Sequence, residues 1–151
     1  MNDVSKRLAA SPVSQAPMAS HRQAIRVYFE DTDAAGIVYY ANYLKFAERA
    51  RTDMLRDLGI SHADMMTQGG QVLVVRRCTI EYLKPAKLDD LLTIETDVAK
   101  LGGASVDLVQ RVLRGAELLV ELKVQVVCID RNGRPARIPD YVRAALPRAT
   151  H

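Results

Sequence analysis

Segment 117–129, ELLVELKVQVVCI, alternates through its middle: Leu118, Val120, Leu122, Val124, Val126 and Cys128 fall on one side, Glu121, Lys123 and Gln125 on the other. A period of two sustained over such a length means a β-strand with one buried face, because successive side chains leave opposite sides of the pleat. Segments 72–83, 91–100 and 104–113 read as further long strands. The breaks between them fall at Pro85 with Lys87, at Gly102 with Gly103 and at Gly115, and Asn132 with Gly133 closes the series. These are turn residues, so successive strands pair antiparallel. A shorter strand is expected over 24–29, AIRVYF, ending at the acidic run Glu30, Asp31, Thr32, Asp33.

Only one stretch has the helical period. Tyr43, Ala47, Ala50, Met54 and Leu58 recur every three or four residues with Phe46 beside them, which predicts one amphipathic helix from Tyr40 or Asn42 to Leu58. Gly59 stands where a left-handed C-terminal cap is expected. One long helix and about five long antiparallel strands specify an α+β chain in which the sheet's apolar face lies over the helix's apolar stripe. Strands that long must curve, and a curved sheet around a single central helix is the hotdog arrangement. Its free edge strand invites pairing with a second copy. Residues 1–21, with Pro12, Pro17 and no periodicity, read as a disordered tail, and 22–145 as the one domain.

Composition excludes several classes. No apolar run is long enough to span a membrane, and residues 1–21 lack a secretory h-region. The two cysteines, Cys78 and Cys128, sit in strand segments far apart, which suits reduced core thiols and a cytoplasmic address. His21, His62 and His151 are scattered and give no metal pattern, so no metal is expected. The net charge is +3, but 21 basic residues are interspersed with 18 acidic ones and aromatics make up 5%, so no nucleic-acid partner is expected. There is no nucleophile elbow, P-loop or dinucleotide fingerprint.

What is left is Glu30, Asp31, Thr32 and Asp33, followed by the small apolar stretch 34–38 and then Tyr39, Tyr40 and Asn42. Acidic residues ahead of a helix read first as caps, since a helix N-terminus leaves N–H groups unpaired and carries partial positive charge. Asp33, however, is seven residues before Tyr40, and a cap stands closer. A carboxylate and a helix N-terminus separated by an apolar gap form a hydrolytic arrangement: an N–H polarises a carbonyl while the carboxylate acts on water or on the carbon.

The run VYFEDTDAAGIVYYANYLKFAERARTDML, 27–55, resembles the signature of the 4-hydroxybenzoyl-CoA thioesterase class, and most closely the bacterial acyl-CoA thioesterases associated with the Tol-Pal system. Segment 74–96, VVRRCTIEYLKPAKLDDLLTIET, is similar too, and the likeness covers roughly 24–140. The resemblance implies a hotdog homodimer or homotetramer with sites at the subunit interface, no cofactor, and hydrolysis of an acyl-CoA to free acid and CoA. It assigns the catalytic carboxylate to Asp33 and the carbonyl-polarising main-chain N–H to Tyr40, with Asp31 structural and Gly36, Ile37, Val38 and Tyr39 lining the acyl entrance. This chain departs from the family at Tyr40, where Tol-Pal-associated members often carry histidine, and at Gly102, Gly103 and Ala104, where the 4-hydroxybenzoyl-CoA enzyme has a basic run for the CoA phosphates. Two rivals are weighed against hydrolysis. A hotdog dehydratase would need a histidine beside its acid, and none lies in this motif. A non-catalytic module would hold acyl-carrier protein or a lipid-synthesis partner in the same groove.

Overall fold

The computed structural model describes residues 20–147, so the expected tail falls almost wholly outside the described residues. Five strands form one antiparallel sheet: β1 (His21–Arg26), β2 (Val72–Tyr82), β3 (Leu91–Leu101), β4 (Ser105–Arg114) and β5 (Glu117–Ile129), in the order β1-β3-β4-β5-β2. The main helix, α1 (Asn42–Asp57), lies against the sheet. This is the expected hotdog arrangement. Two short helices that the sequence reading missed complete it: α2 (His62–Gly69), capped by the Ser61 hydroxyl and ended by left-handed Gly70, and α3 (Asp140–Ala145).

The alternation in β5 does what its pattern demands. Val120, Leu122, Val124, Val126 and Cys128 are buried and face Val112, Leu108 and Val106 of β4. Helix α1 buries Tyr43, Phe46, Ala47, Ala50 and Met54 of the anticipated stripe and Leu55 besides, while the expected Leu58 is its half-buried C-cap residue, and Gly59 takes φ +81 just beyond. Strand β1 is displaced from its expected span. It begins at His21 and stops at Arg26; Val27 bends into the core and exchanges backbone bonds with the loop before β3, while Phe29–Asp31 forms a 3-10 turn. The Asp31 carboxylate accepts the Tyr28 N–H at 2.8 Å, and this local bond outcompetes continuation of the strand.

Two polar side chains lie fully inside the apolar core, Thr96 and Gln110. The Gln110 amide nitrogen donates to the Ala47 carbonyl and to Thr96 Oγ1, both at 3.0 Å, and Gln110 Oε1 accepts from Arg51 Nη1 at 3.0 Å. Strand β4 thereby grips α1 in mid-helix. Replacing Gln110 by leucine leaves Thr96 Oγ1 and the Arg51 guanidinium without this partner in a low-dielectric site, and removes the bond that ties the Ala47 carbonyl to β4. Each such loss costs about 1–3 kcal/mol, so Gln110→Leu is expected to lower the urea-unfolding free energy by at least that much. A loss under about 0.5 kcal/mol, the level of an ordinary surface change, would contradict the grip.

Candidate functional site

The acidic run divides its labour. Asp31 is structural: besides capping Tyr28, its carbonyl accepts the Tyr39 N–H at 3.0 Å and the Asn42 side-chain amide at 2.9 Å, tying the 3-10 turn to the start of α1. An antiparallel bridge joins Thr32 to Val38, and beyond it Asp33 and Ile37 close a tight loop. Within that loop Asp33 Oδ1 accepts the Ala35 N–H at 2.8 Å, and Gly36 adopts φ +79, a conformation glycine reaches without a Cβ penalty. Asp33 is exposed, and its other carboxylate oxygen has no protein partner among the described residues.

Helix α1 starts two residues later than the first of the two expected starts. Its N-cap is Ala41, which offers no side-chain bond, and its first turn has no acidic residue. Glu30, Asp31 and Asp33 therefore do not cap this helix, and its N-terminal partial charge is left uncompensated. Tyr40 precedes the cap. Its N–H, like that of Ala41, donates no hydrogen bond among the described residues, while its carbonyl accepts from the Tyr82 hydroxyl at 3.1 Å.

Aromatic rings connect this corner to the core. Tyr40 meets Tyr82 edge-on at 6.2 Å between centroids, Tyr82 meets Tyr43 at 5.7 Å, and Tyr43 meets Phe46 at 5.9 Å. Tyr40, Tyr43 and Tyr82, with Ile37, Val38 and Leu83, line a cleft of about 330 Å³. Of the expected acyl-entrance residues, Ile37 and Val38 line it. Tyr39 stacks obliquely beside Tyr40 at 5.0 Å, and Gly36 sits in the exposed loop. Tyr43 and Tyr82 were missed because their rings meet only when β2 folds beside α1. Burial raises the pKa of both phenols above the ordinary value, more than offsetting the Ala86 bond at Tyr43, so they stay neutral. Burial likewise pushes the Cys78 thiol up, against the pull of Arg51, which leaves it a poor nucleophile. His62 is the first residue of α2.

The floor of the cleft is held by the 83–90 loop. The Ala86 N–H donates to the Tyr43 hydroxyl at 3.1 Å and its carbonyl accepts from the Val38 N–H at 2.9 Å. Arg114 reaches Asp90 and Glu117, each at 2.8 Å, and Lys84 reaches Glu117 at 2.8 Å. Hydrogen bonds from Lys84 and then Arg114 hold the Glu117 carboxyl at about 2, against an ordinary 4.5. At Asp90 burial pushes the other way, but its bonds from Lys87 N–H and Arg114 win and the pKa is lowered.

Three comparisons bear on this arrangement. A model of the thioesterase-like superfamily matches residues 27–146. The acyl-CoA thioester hydrolase YbgC of Escherichia coli is 46% identical over 125 residues, 82% of this chain and 92% of that protein. A probable thioesterase from Bartonella henselae superposes with a TM-score of 0.76 at 40% identity, over 80% of this chain and all (100%) of that one. A 4-hydroxybenzoyl-CoA thioesterase solved with 4-hydroxybenzoyl-CoA shares the fold, with a TM-score of 0.79 at 23% identity over 85% of this chain and 99% of that one.

Glu117 supplies a pH test of the loop brace. Its folded pKa is depressed, so its stabilisation is present above 4.5 and is lost as pH falls toward about 2, where the unfolded chain takes up a proton that the folded chain refuses. Glu117→Gln should flatten the acid limb of the stability-against-pH curve in that window. A curve that keeps the parent's slope would contradict the brace.

Proposed function

The chain belongs to the thioesterase-like superfamily and is an acyl-CoA thioester hydrolase, and we propose that Asp33 and the main-chain N–H of Tyr40 carry out the hydrolysis. The observation that supports this most is the uncapped start of α1: free N–H groups at Tyr40 and Ala41, with a carboxylate that has an unoccupied oxygen across the Thr32–Val38 bridge.

A thioester carbonyl seated on the Tyr40 N–H gains negative charge as its carbon becomes tetrahedral, and the N–H together with the helix's partial positive charge stabilises that oxygen. Asp33 acts on the carbon's other side. It either takes a proton from the attacking water or adds to the carbon itself, forming an anhydride that water then cleaves. Both routes break the carbon–sulfur bond and release CoA as the thiolate, a leaving group that needs far less protonation than an amine. Hydrolysis is thus within reach of one carboxylate and one hydrogen-bond donor.

On a single copy Asp33 is exposed and lines none of the larger clefts among the described residues. We assign the missing wall to a second copy in a homodimer or homotetramer. Edge strand β2, with Val74, Val75 and Tyr82 exposed, is the surface that supports such pairing. Cysteines that form no disulfide fit a cytoplasmic setting. A link to the Tol-Pal system belongs to the same proposal and is supported by the sequence resemblance, and acyl-carrier protein is the further partner proposed for the same groove.

Asp33→Asn keeps the carbonyl oxygen that accepts the Ala35 N–H, so the loop should survive while thiol release from acyl-CoA is abolished. Tyr40→Phe should retain most of the rate, whereas Tyr40→Pro, lacking the N–H, should lose on the order of a hundred- to a thousand-fold. Melting temperatures measured alongside separate catalysis from folding. An Asn variant as fast as the parent, or a folded proline variant near the parental rate, would refute the corresponding assignment.

A further inference from the structure

Ala86 is the one buried residue of the 83–90 loop, and both of its backbone groups are committed to the site. Its N–H donates to the Tyr43 hydroxyl on α1 at 3.1 Å, and its carbonyl accepts from the Val38 N–H at 2.9 Å. Antiparallel bridges pair Lys87 with Ile37 and Val38 with Thr32. Backbone segments 86–87, 37–38 and 32–33 thus lie side by side, with the Asp33 N–H donating to the Ile37 carbonyl at 2.9 Å. Asp33 stands on the outermost of the three, and the first turn of α1 is bonded to the innermost through Tyr43. The 83–90 loop is the common reference from which the carboxylate and the helix start are both held. A shift of that loop changes their separation.

The loop does little to fix itself. Apart from Ala86 its residues are exposed or half-buried, and Asp89 adopts φ +70, which a residue with a Cβ seldom takes. Its two ends meet at Arg114, the last residue of β4. The guanidinium donates to the Pro85 carbonyl at 3.3 Å and to Asp90 Oδ2 at 2.8 Å, while Glu117 Oε1 accepts from Nη2 at 2.8 Å and from Nε at 3.1 Å. Asp90 carries the grip inward, since the same Oδ2 accepts the Lys87 N–H at 2.8 Å. Ion pairs this open to solvent contribute little to global stability. A planar fork that bonds both ends of one loop acts locally, by restricting where that loop lies.

We propose that Arg114 is a positioning residue for the reaction: by joining Pro85 and Asp90 to Glu117 it fixes the 83–90 loop, and through that loop the separation between the Asp33 carboxylate and the Tyr40 N–H. The inference rests on the assignment of those two groups to the hydrolysis. Arg114 touches neither of them and lines no part of the cleft beside Tyr40, so its loss acts on the geometry of the reacting groups rather than on substrate contacts. A misplacement of about 1 Å between reacting groups costs on the order of a hundredfold in rate.

Thiol release from butanoyl- and octanoyl-CoA is to be measured for parent, Arg114→Ala, Arg114→Lys and Arg22→Ala, with melting temperatures alongside. Arg114→Ala should lose on the order of tenfold or more in kcat while KM stays within about threefold, the signature of an interaction that matters in the transition state. Lysine keeps the charge without the fork, so Arg114→Lys should fall between parent and alanine variant. Ethylguanidinium should restore part of the lost kcat to Arg114→Ala and none to the parent, a response that a loss of fold stability does not give. Arg22→Ala removes an ion pair of the same length, 2.8 Å to Glu95, at the opposite edge of the sheet and should keep the parental kcat. A folded Arg114→Ala variant with the parent's kcat overturns the proposal. So does a loss confined to KM, a loss that neither lysine nor ethylguanidinium relieves, or an equal loss in Arg22→Ala. Should the alanine variant not fold, the lysine variant decides, and a parental kcat there overturns the proposal. No thiol release by the parent, or an Asp33→Asn variant as fast as the parent, refutes instead the assignment on which the inference rests, which keeps the two failures apart.

Discussion

Gln110 seats the main helix at one height above the sheet, by holding the Ala47 carbonyl at 3.0 Å from a position in mid-strand. A helix packed on a sheet through apolar contacts alone can slide by a fraction of a turn at small cost, since hydrophobic contact is non-directional. A buried amide cannot, because displacement leaves strong donors and acceptors unpaired. Everything of functional interest follows from that seat. The height of α1 decides where its N-terminus meets the Asp31 carbonyl, hence where Tyr40 lies.

The chemistry needs little apparatus. A thioester is activated already, so under the proposed assignment a free N–H at a helix start and an exposed carboxylate suffice, provided that the two are held at a fixed separation. The bridge between Thr32 and Val38, the Asp31 contacts and the Tyr43–Ala86 bond supply that fixity. The same Asp33–Ile37 loop that presents the carboxylate is closed by its own backbone bonds, so an asparagine can occupy it without disturbing its neighbours.

Much of this was legible in the sequence because it is written in local periods. Period two gave β2 to β5 nearly to the residue, and period three to four gave the buried stripe of α1. The structural part for Asp31 was also anticipated, and its carboxylate and carbonyl bonds fit it; Asp33 as the catalytic carboxylate is the proposal made above. The early end of β1 was not, since AIRVYF has strand-forming residues throughout and only the Asp31–Tyr28 bond stops the strand at Arg26. Helix α2 escaped notice because it is short and ends in the glycine pair Gly69–Gly70, which reads as a loop. Tyr43, Tyr82, Arg51 and Gln110 come from three different elements and meet only through tertiary packing, so no spacing along the chain announces them.

The central claim is that the reacting carbonyl sits between Tyr40 N–H and Asp33. It is tested most directly by a crystal structure of the protein with an acyl-CoA analogue whose sulfur is replaced by methylene, a ketone that cannot be cleaved. The account predicts the ketone oxygen at roughly 3 Å from the Tyr40 nitrogen, with the Asp33 carboxylate facing the carbonyl carbon. A ketone bound instead in the broad polar cleft between β1 and α1, lined by Gln23, Arg49 and Asp53, would contradict it.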